Sequence, residues 1–232
     1  PQEVFKKYLK DTFIIYMPKD IVSGDFYWTE KRGDLVILTV ADCTGHGVPG
    51  AFMSIIGHNG LNQAVNEHRL LKPSVILNYL NMSVNETLHK ATEGATVRDG
   101  MDMALCIFNT KTLELEYSGA HNPLFIISKG ELTELKADRM SIGQYMEEQK
   151  SFTNHTYQLQ PGDSFYLFSD GIVDQFGGEK GKKFMKNQLR ELLKTVGHLP
   201  MEEQKDKILT RFKTWQGELE QVDDMCIIGV KA

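Results

Sequence analysis

Four acidic sites lie where apolar runs begin or end. Asp25 opens Phe26-Tyr27-Trp28, Asp42 closes Leu35-Val36-Ile37-Leu38-Thr39-Val40-Ala41, Asp170 closes Phe165-Tyr166-Leu167-Phe168-Ser169, and Asp223-Asp224 precede Met225-Cys226-Ile227-Ile228. A carboxylate at the rim of a core adds nothing to packing, and a single one is explained by the preference of Asp for turns. Four together, in Gly-containing or acidic surroundings, are harder to explain that way. The runs at 25–30 and 34–41 are rich in β-branched and aromatic residues, and Lys31-Arg32-Gly33-Asp34 supplies turn chemistry between them, so the pair reads as a hairpin. That hairpin sets Asp25 against Asp42 to within about two residues, and opposed side chains on paired strands have Cβ atoms only about 5 Å apart, where like charges repel. Either one carboxyl takes a proton, as in an acid dyad, or a hard divalent cation lies between the two. Two further Asp sites at matching strand ends favour the cation, because Mg²⁺ or Mn²⁺ gathers several oxygen ligands and keeps water in the remaining positions.

The elements that must position these acids follow from periodicity and punctuation. Strand-like runs at 12–18, 25–30 and 34–41 give way to a helical pattern from Val48 to about Asn66, with Phe52, Ile55 or Ile56, Leu61 and Ala64 near one face and Pro49 in the first turn. A second helix over 73–90 repeats Ile76, Leu80, Val84 and Leu88 at every fourth position. Strands are expected again at 103–108, 113–118, 124–128, 131–135, 151–158 and 164–168, then amphipathic helices at 182–195 and 201–217 and a last strand at 225–230. This order is α+β, most simply two antiparallel sheets packed together with helix pairs outside, a four-layer α-β-β-α sandwich. A chain of 232 residues with 41% hydrophobic content can bury one substantial core, so 12–232 is read as a single domain. Phe5, Tyr8 and Leu9 are spaced as on one helical face, and 1–11 is read as the end of a linker helix from an upstream region.

Composition narrows the function classes. The formal net charge is −5, against a protein whose main work is gripping a nucleic-acid backbone. No stretch approaches the roughly 20 consecutive apolar residues that would insert in a membrane. The three cysteines, Cys43, Cys106 and Cys226, are far apart and lack zinc-like spacing, as expected of a reducing, cytoplasmic compartment. There is no G-x-S-x-G elbow, no phosphate-binding G-x-x-x-x-G-K-[ST] loop and no compact D-x-D-x-D-G calcium loop.

Ser23-Gly24-Asp25-Phe26-Tyr27-Trp28, Ala41-Asp42-Cys43-Thr44-Gly45-His46-Gly47-Val48-Pro49-Gly50-Ala51, Phe168-Ser169-Asp170-Gly171 and Asp223-Asp224-Met225 occur in the order found in the metal-dependent Ser/Thr protein phosphatase (PPM-type) superfamily. The chain most resembles its bacterial branch of stage II sporulation E-like and sigma-factor-regulator phosphatases. Segments 98–105 (Arg98-Asp99-Gly100-Met101-Asp102-Met103-Ala104-Leu105) and 118–123 (Ser118-Gly119-Ala120-His121-Asn122-Pro123) are similar to that branch too. The resemblance implies a dinuclear Mn²⁺ or Mg²⁺ centre that activates water for hydrolysis of phosphoserine or phosphothreonine. Asp42 resembles the acid that bridges the metals and the backbone carbonyl of Cys43 its main-chain neighbour; Asp25 resembles the acid of the second metal, and Asp170 and Asp223 those of the first, with Asp224 as the alternative to Asp223. The implied substrate is a phosphorylated protein, a small anti-sigma-factor antagonist-type domain, with an upstream sensor in control and a homodimer formed through the linker. A pseudophosphatase that only binds its partner, and a small-molecule phosphomonoesterase, are the alternatives on the same fold.

Further residues near these motifs carry two readings each. His46, between Gly45 and Gly47, either protonates the departing serine oxygen or orients and caps. Asp102 either touches the metal site through water or ends a loop, with Gly45, Gly47 and Gly171 leaving room for close backbone approach. His121 is read as part of a turn and His58 as a satisfied histidine near the core. The eukaryotic-type relatives place a phosphate-gripping Arg before the first acidic motif, where this chain offers only Lys19. The basic run Lys180, Lys182, Lys183 and Lys186 reads as the exposed face of a helix that can also meet an acidic partner.

Overall fold

The computed structural model describes residues 2–45, 47–91, 99–143 and 150–232, the side chains of 2–4 and 89–91 excepted. Its elements are α1 (Gln2–Tyr8), β1 (Thr12–Met17), β2 (Phe26–Arg32), β3 (Leu35–Cys43), α2 (Gly47–Asn62), α3 (Pro73–Ala91), β4 (Met101–Asn109), β5 (Glu114–Ala120), β6 (Leu124–Ser128), β7 (Glu131–Leu135), β8 (His155–Gln158), β9 (Ser164–Phe168), α4 (Gly171–Asp174), β10 (Phe176–Gly177), β11 (Lys182–Lys183), α5 (Met185–Val196), α6 (Met201–Gln216) and β12 (Met225–Lys231). One sheet runs β1-β12-β9-β6-β7, the other β2-β3-β4-β5-β8, and every pairing is antiparallel.

The unbroken apolar runs follow from burial of both faces of the central strands. On β3, Val36, Leu38 and Val40 join Ile14, Phe165, Leu167, Cys226 and Ile228 between the sheets. The alternate residues Ile37 and Ala41 point outward onto Met53 and Leu61 of α2 and Ile76, Leu80 and Val84 of α3. Across the sandwich, Tyr166 and Phe168 of β9 point outward onto Leu189 and Leu193 of α5 and Ile208 and Phe212 of α6. The result is the expected four-layer α-β-β-α sandwich.

Four local expectations are corrected. The first helix buries Met53, Gly57, Gly60 and Leu61, with Ala64 just beyond it, whereas Phe52 (66% exposed) and Ile55 (57%) face outward. Glycines disguised that face: a Cβ on Gly60 would meet Leu80 at 2.6 Å, so the helix packs by closeness rather than by apolar side chains. Its end, expected to run on regularly, becomes a π turn over Gln63–Glu67. The strand expected over 151–158 is limited to His155–Gln158. The basic run does not form one helix face, because Lys182 and Lys183 pair with Phe176 and Gly177 in a short hairpin and the helix starts only at Met185.

Helix α1 is packed into the body of the protein. Phe5 (1% exposed) and Leu9 (5%) lie in the cluster between the sheets, with the Phe5 ring edge-on to Tyr27 at 5.6 Å. Phe5→Ala is therefore expected to lower the unfolding free energy by about 3–5 kcal/mol, the range for a buried phenylalanine truncated to alanine. Denaturant titration measures this, and an unchanged midpoint would mean that α1 is detached in solution.

Candidate active site at the carboxylate end of the sandwich

The acids meet because antiparallel pairing brings strand starts and strand ends to one edge. Phe26 pairs with Ala41, so the next step outward sets Asp25 beside Asp42, as the hairpin reading required. The turn is the two-residue Gly33-Asp34, with Gly33 at φ 60°, where a side chain is disfavoured. Asp42 is also paired directly with Asp102 of β4. In the other sheet Phe168 pairs with Ile227, and the Cys226 N–H donates to Ser169 Oγ at 2.9 Å, which carries Asp170 to the end of β9 beside the start of β12.

Glycines let these strand ends approach. A Cβ on Gly50 would stand 2.0 Å from the Gly45 carbonyl oxygen, and one on Gly24 2.6 Å from the same atom, so the Asp25 loop, the loop after Asp42 and the first turn of α2 are in backbone contact. A Cβ on Gly171 would stand 1.9 Å from the Asp224 carbonyl oxygen, which fixes the Asp170 end of α4 against the Asp223-Asp224 loop.

The site is electrostatically crowded. Asp25 is 3% exposed, and its Oδ2 is buried without a hydrogen-bond partner. Burial, reinforced by the charges of Asp224, Asp170 and Asp223, pushes its carboxyl up to about 8, with the Ser169 hydroxyl pulling the other way. Asp42 is pushed up to about 10, first by burial and then by Asp170 and Asp25. Asp170 is likewise raised, foremost by burial. Asp102 is raised by burial and accepts a 2.6 Å hydrogen bond from the Ser141 hydroxyl.

Asp223 and Asp224 divide their work. Asp224 is 2% exposed, and its two oxygens accept the Lys19 N–H at 2.8 Å and the Gly24 N–H at 2.7 Å, so it staples the loop that carries Asp25. Asp223 Oδ1 accepts the Asp224 N–H at 2.8 Å, and the residue is only partly buried. Lys19 thus enters the site through its backbone. The Cys43 thiol is buried and shifted upward, foremost by that burial, far from the range of a nucleophile.

Among the described residues, no three acidic, histidine or cysteine side chains stand as a finished cage for an ion. The donor set nevertheless fits one. It is all oxygen, it includes a buried carboxylate oxygen with no partner, and its Asp25 and Asp42 carboxyls are raised by burial and neighbouring charge that a hard divalent cation would offset.

His121 is an exposed turn residue at φ 56°, as expected, and its charge, like that of Lys186, pulls the Asp102 carboxyl down against the effect of burial. His58 is exposed rather than near the core, its Nδ1 3.1 Å from the Asn62 amide. His46 and Arg98 lie outside the described residues. Sequence reasoning missed Ser169 and Ser141: the first is visible in Phe168-Ser169-Asp170, whereas Ser141 is 39 residues from its partner and left no local signal.

A family model for stage II sporulation protein E (SpoIIE) matches residues 32–232. The chain is 28% identical over 169 residues to the phosphoserine phosphatase RsbU of Bacillus subtilis, a match covering 71% of this chain and 47% of that protein, so the chain spans about half the length of that relative. The SiaA-PP2C domain of Pseudomonas aeruginosa superposes with a TM-score of 0.90 at 30% identity, covering 100% of this chain and 90% of that one. The PP2C phosphatase domain of SpoIIE from Bacillus subtilis, with a fragment of its regulatory domain, shares the fold at a TM-score of 0.76 and 18% identity, over 96% of this chain and 63% of that one. With the acids gathered at one end of the same two-sheet sandwich, this chain belongs to the SpoIIE family, as a phosphatase domain of the PP2C type.

Proposed function

We propose that this domain is a metal-dependent protein serine/threonine phosphatase, which hydrolyses phosphoserine or phosphothreonine on a small anti-sigma-factor antagonist-type domain. The observation that carries the reading is the convergence of Asp25, Asp42 and Asp170, whose carboxyls are all raised, first by burial and then by neighbouring acids. Its three buried free thiols suit a reducing cytoplasm, and an upstream sensor would act through the chain preceding α1.

In this reading Asp42 and the Cys43 carbonyl would contribute to holding both cations, Asp25 would hold one of them, and Asp170 and Asp223 the other. Asp223 is preferred to Asp224 because both Asp224 oxygens already accept backbone N–H groups. Two bound divalent cations, Mn²⁺ or Mg²⁺, would supply an activated water and neutralise the phosphoryl oxygens. The chain's own groups do the rest. Asp102 and Ser141 hold the strand beside Asp42, and Gly45 (φ 82°) and Gly47 (φ 68°) leave the approach open. The positive end of α2 faces the same region. His46 is assigned from sequence alone to protonating the departing serine oxygen.

Hydrolysis of an aryl phosphate by the Mn²⁺-loaded protein should fall at least about a hundredfold in Asp42→Asn or on chelation, the size of losing a central electrostatic stabiliser. Circular dichroism would confirm the fold of the variant, and full turnover by the metal-free protein would reject the mechanism. A phosphorylated antagonist domain should be hydrolysed far more efficiently than free phosphoserine; comparable efficiencies would favour the small-molecule reading.

Acid–base linkage gives an independent test. Asp25 and Asp42 have folded values of about 8 and about 10, above the ordinary 3.8, so the stability they contribute is complete below about pH 4 and is lost as pH rises through those values. In chelator the melting temperature should fall from about pH 5.5 to about pH 8.5, less so in Asp42→Asn, and the Mn²⁺-induced rise should grow over the same interval. A Mn²⁺ effect equal at both pH values would count against these carboxylates as ligands.

A further inference from the structure

A cation of the chain's own beside the acidic centre would add to the bound metals in holding a phosphoryl dianion, and the stretch before Asp25 contributes a backbone N–H of Lys19 to Asp224. The local charge balance inverts elsewhere. Between Asp174 and Asn187 stand Lys180, Lys182, Lys183 and Lys186 against Asp174 and Glu179, in a chain whose net charge is −5. The fold brings this stretch back to the acids. Asp174 is the last residue of α4, its N–H donating to the Asp170 carbonyl at 2.9 Å, and Lys183 Nζ reaches Asp174 Oδ2 at 2.8 Å. The Phe184 N–H donates to the Gln175 carbonyl at 2.9 Å and its ring is fully buried, which fixes where α5 begins. Lys186 therefore projects from a start held at both ends of the hairpin.

Lys183 is matched to Asp174, whereas Lys186 makes no hydrogen bond or ion pair among the described residues. Its charge nevertheless reaches Asp102, the strand partner of Asp42. It borders a cavity of about 280 Å³ lined by Val173, Asp174, Met185, Lys186 and Asn187, so that the last residues of α4, one turn on from Asp170, form one wall.

Resting on the phosphatase reading above, we infer that Lys186 is a substrate-positioning residue that binds the phosphoryl group of the substrate from the α4–α5 side of the carboxylate centre. A lysine suits this place, since a compact ammonium on a flexible stem can follow the phosphoryl group from ester to free phosphate. Lys183 keeps Asp174 neutralised so that this carboxylate does not repel the same group.

The test uses Mn²⁺-loaded wild type, Lys186→Ala and Lys186→Arg, with an aryl phosphate and a phosphoserine protein as substrates and inorganic phosphate as the binding probe. Lys186→Ala should raise KM about tenfold or more for both substrates, as expected for a lost charged hydrogen bond, and weaken phosphate binding by a similar factor in calorimetry. Lys186→Arg should recover most of both, and the Mn²⁺-induced thermal shift should be unchanged throughout. Unchanged phosphate binding in Lys186→Ala would overturn the inference. So would a KM increase confined to the phosphoprotein, which would place Lys186 on flanking acidic residues of the partner, or an arginine variant as impaired as the alanine one. A wild type that binds phosphate but turns over neither substrate would sink the hydrolase reading instead, while calorimetry still reports on Lys186.

Discussion

Carboxylates forced together away from water repel one another, and the structure at this end of the sandwich is organised around that repulsion. Asp42 stands next to Asp25 across one strand and opposite Asp102 across the other, and the charge of Asp170 from the second sheet bears on it as well. Burial is the first cause of the raised affinity for protons at Asp25, Asp42, Asp102 and Asp170 alike, and neighbouring charge adds to it at Asp25, Asp42 and Asp170. Such a cluster is unfavourable as a set of bare anions. Either protons or, in the proposed reading, divalent cations would relieve it.

The rest of the sandwich holds that arrangement in place. Three hydrophobic layers, one between the sheets and one beneath each helix pair, leave the central strands little freedom to slide, since a one-residue slip would turn every buried side chain to the wrong face. Backbone contacts at Gly24, Gly50 and Gly171 then set how closely the acid-bearing loops approach. Asp224 shows how a carboxylate adjacent to the centre can be structural: with both oxygens accepting backbone N–H groups, it orders the loop that delivers Asp25.

The surface around the centre is uneven in charge. Acids face the interior of the site, while the β10–β11 hairpin and the start of α5 bring lysines to one side of it. Lys183 is held by Asp174, and Lys186 is left to act outward. Phe52 and Ile55 of α2, exposed at 66% and 57%, add apolar surface on another element.

The sequence by itself determined the α+β order, the hairpin that sets Asp25 against Asp42, and the family, because period-2 burial, turn residues and short ordered motifs are local properties of the chain. It could not separate Asp223 from Asp224, adjacent residues of the same type that differ in their partners: Asp224 accepts the remote Lys19 and Gly24 N–H groups, Asp223 the N–H of its neighbour. The buried face of α2 was misread because glycines pack by being absent, which hydrophobic periodicity does not register. The split of the basic run into a hairpin strand and a helix start, the Ser141 bond to Asp102 and the placing of Lys186 beside Asp174 are likewise tertiary. Each depends on a contact between segments remote in sequence, whose geometry is fixed only when the two sheets close on their common core.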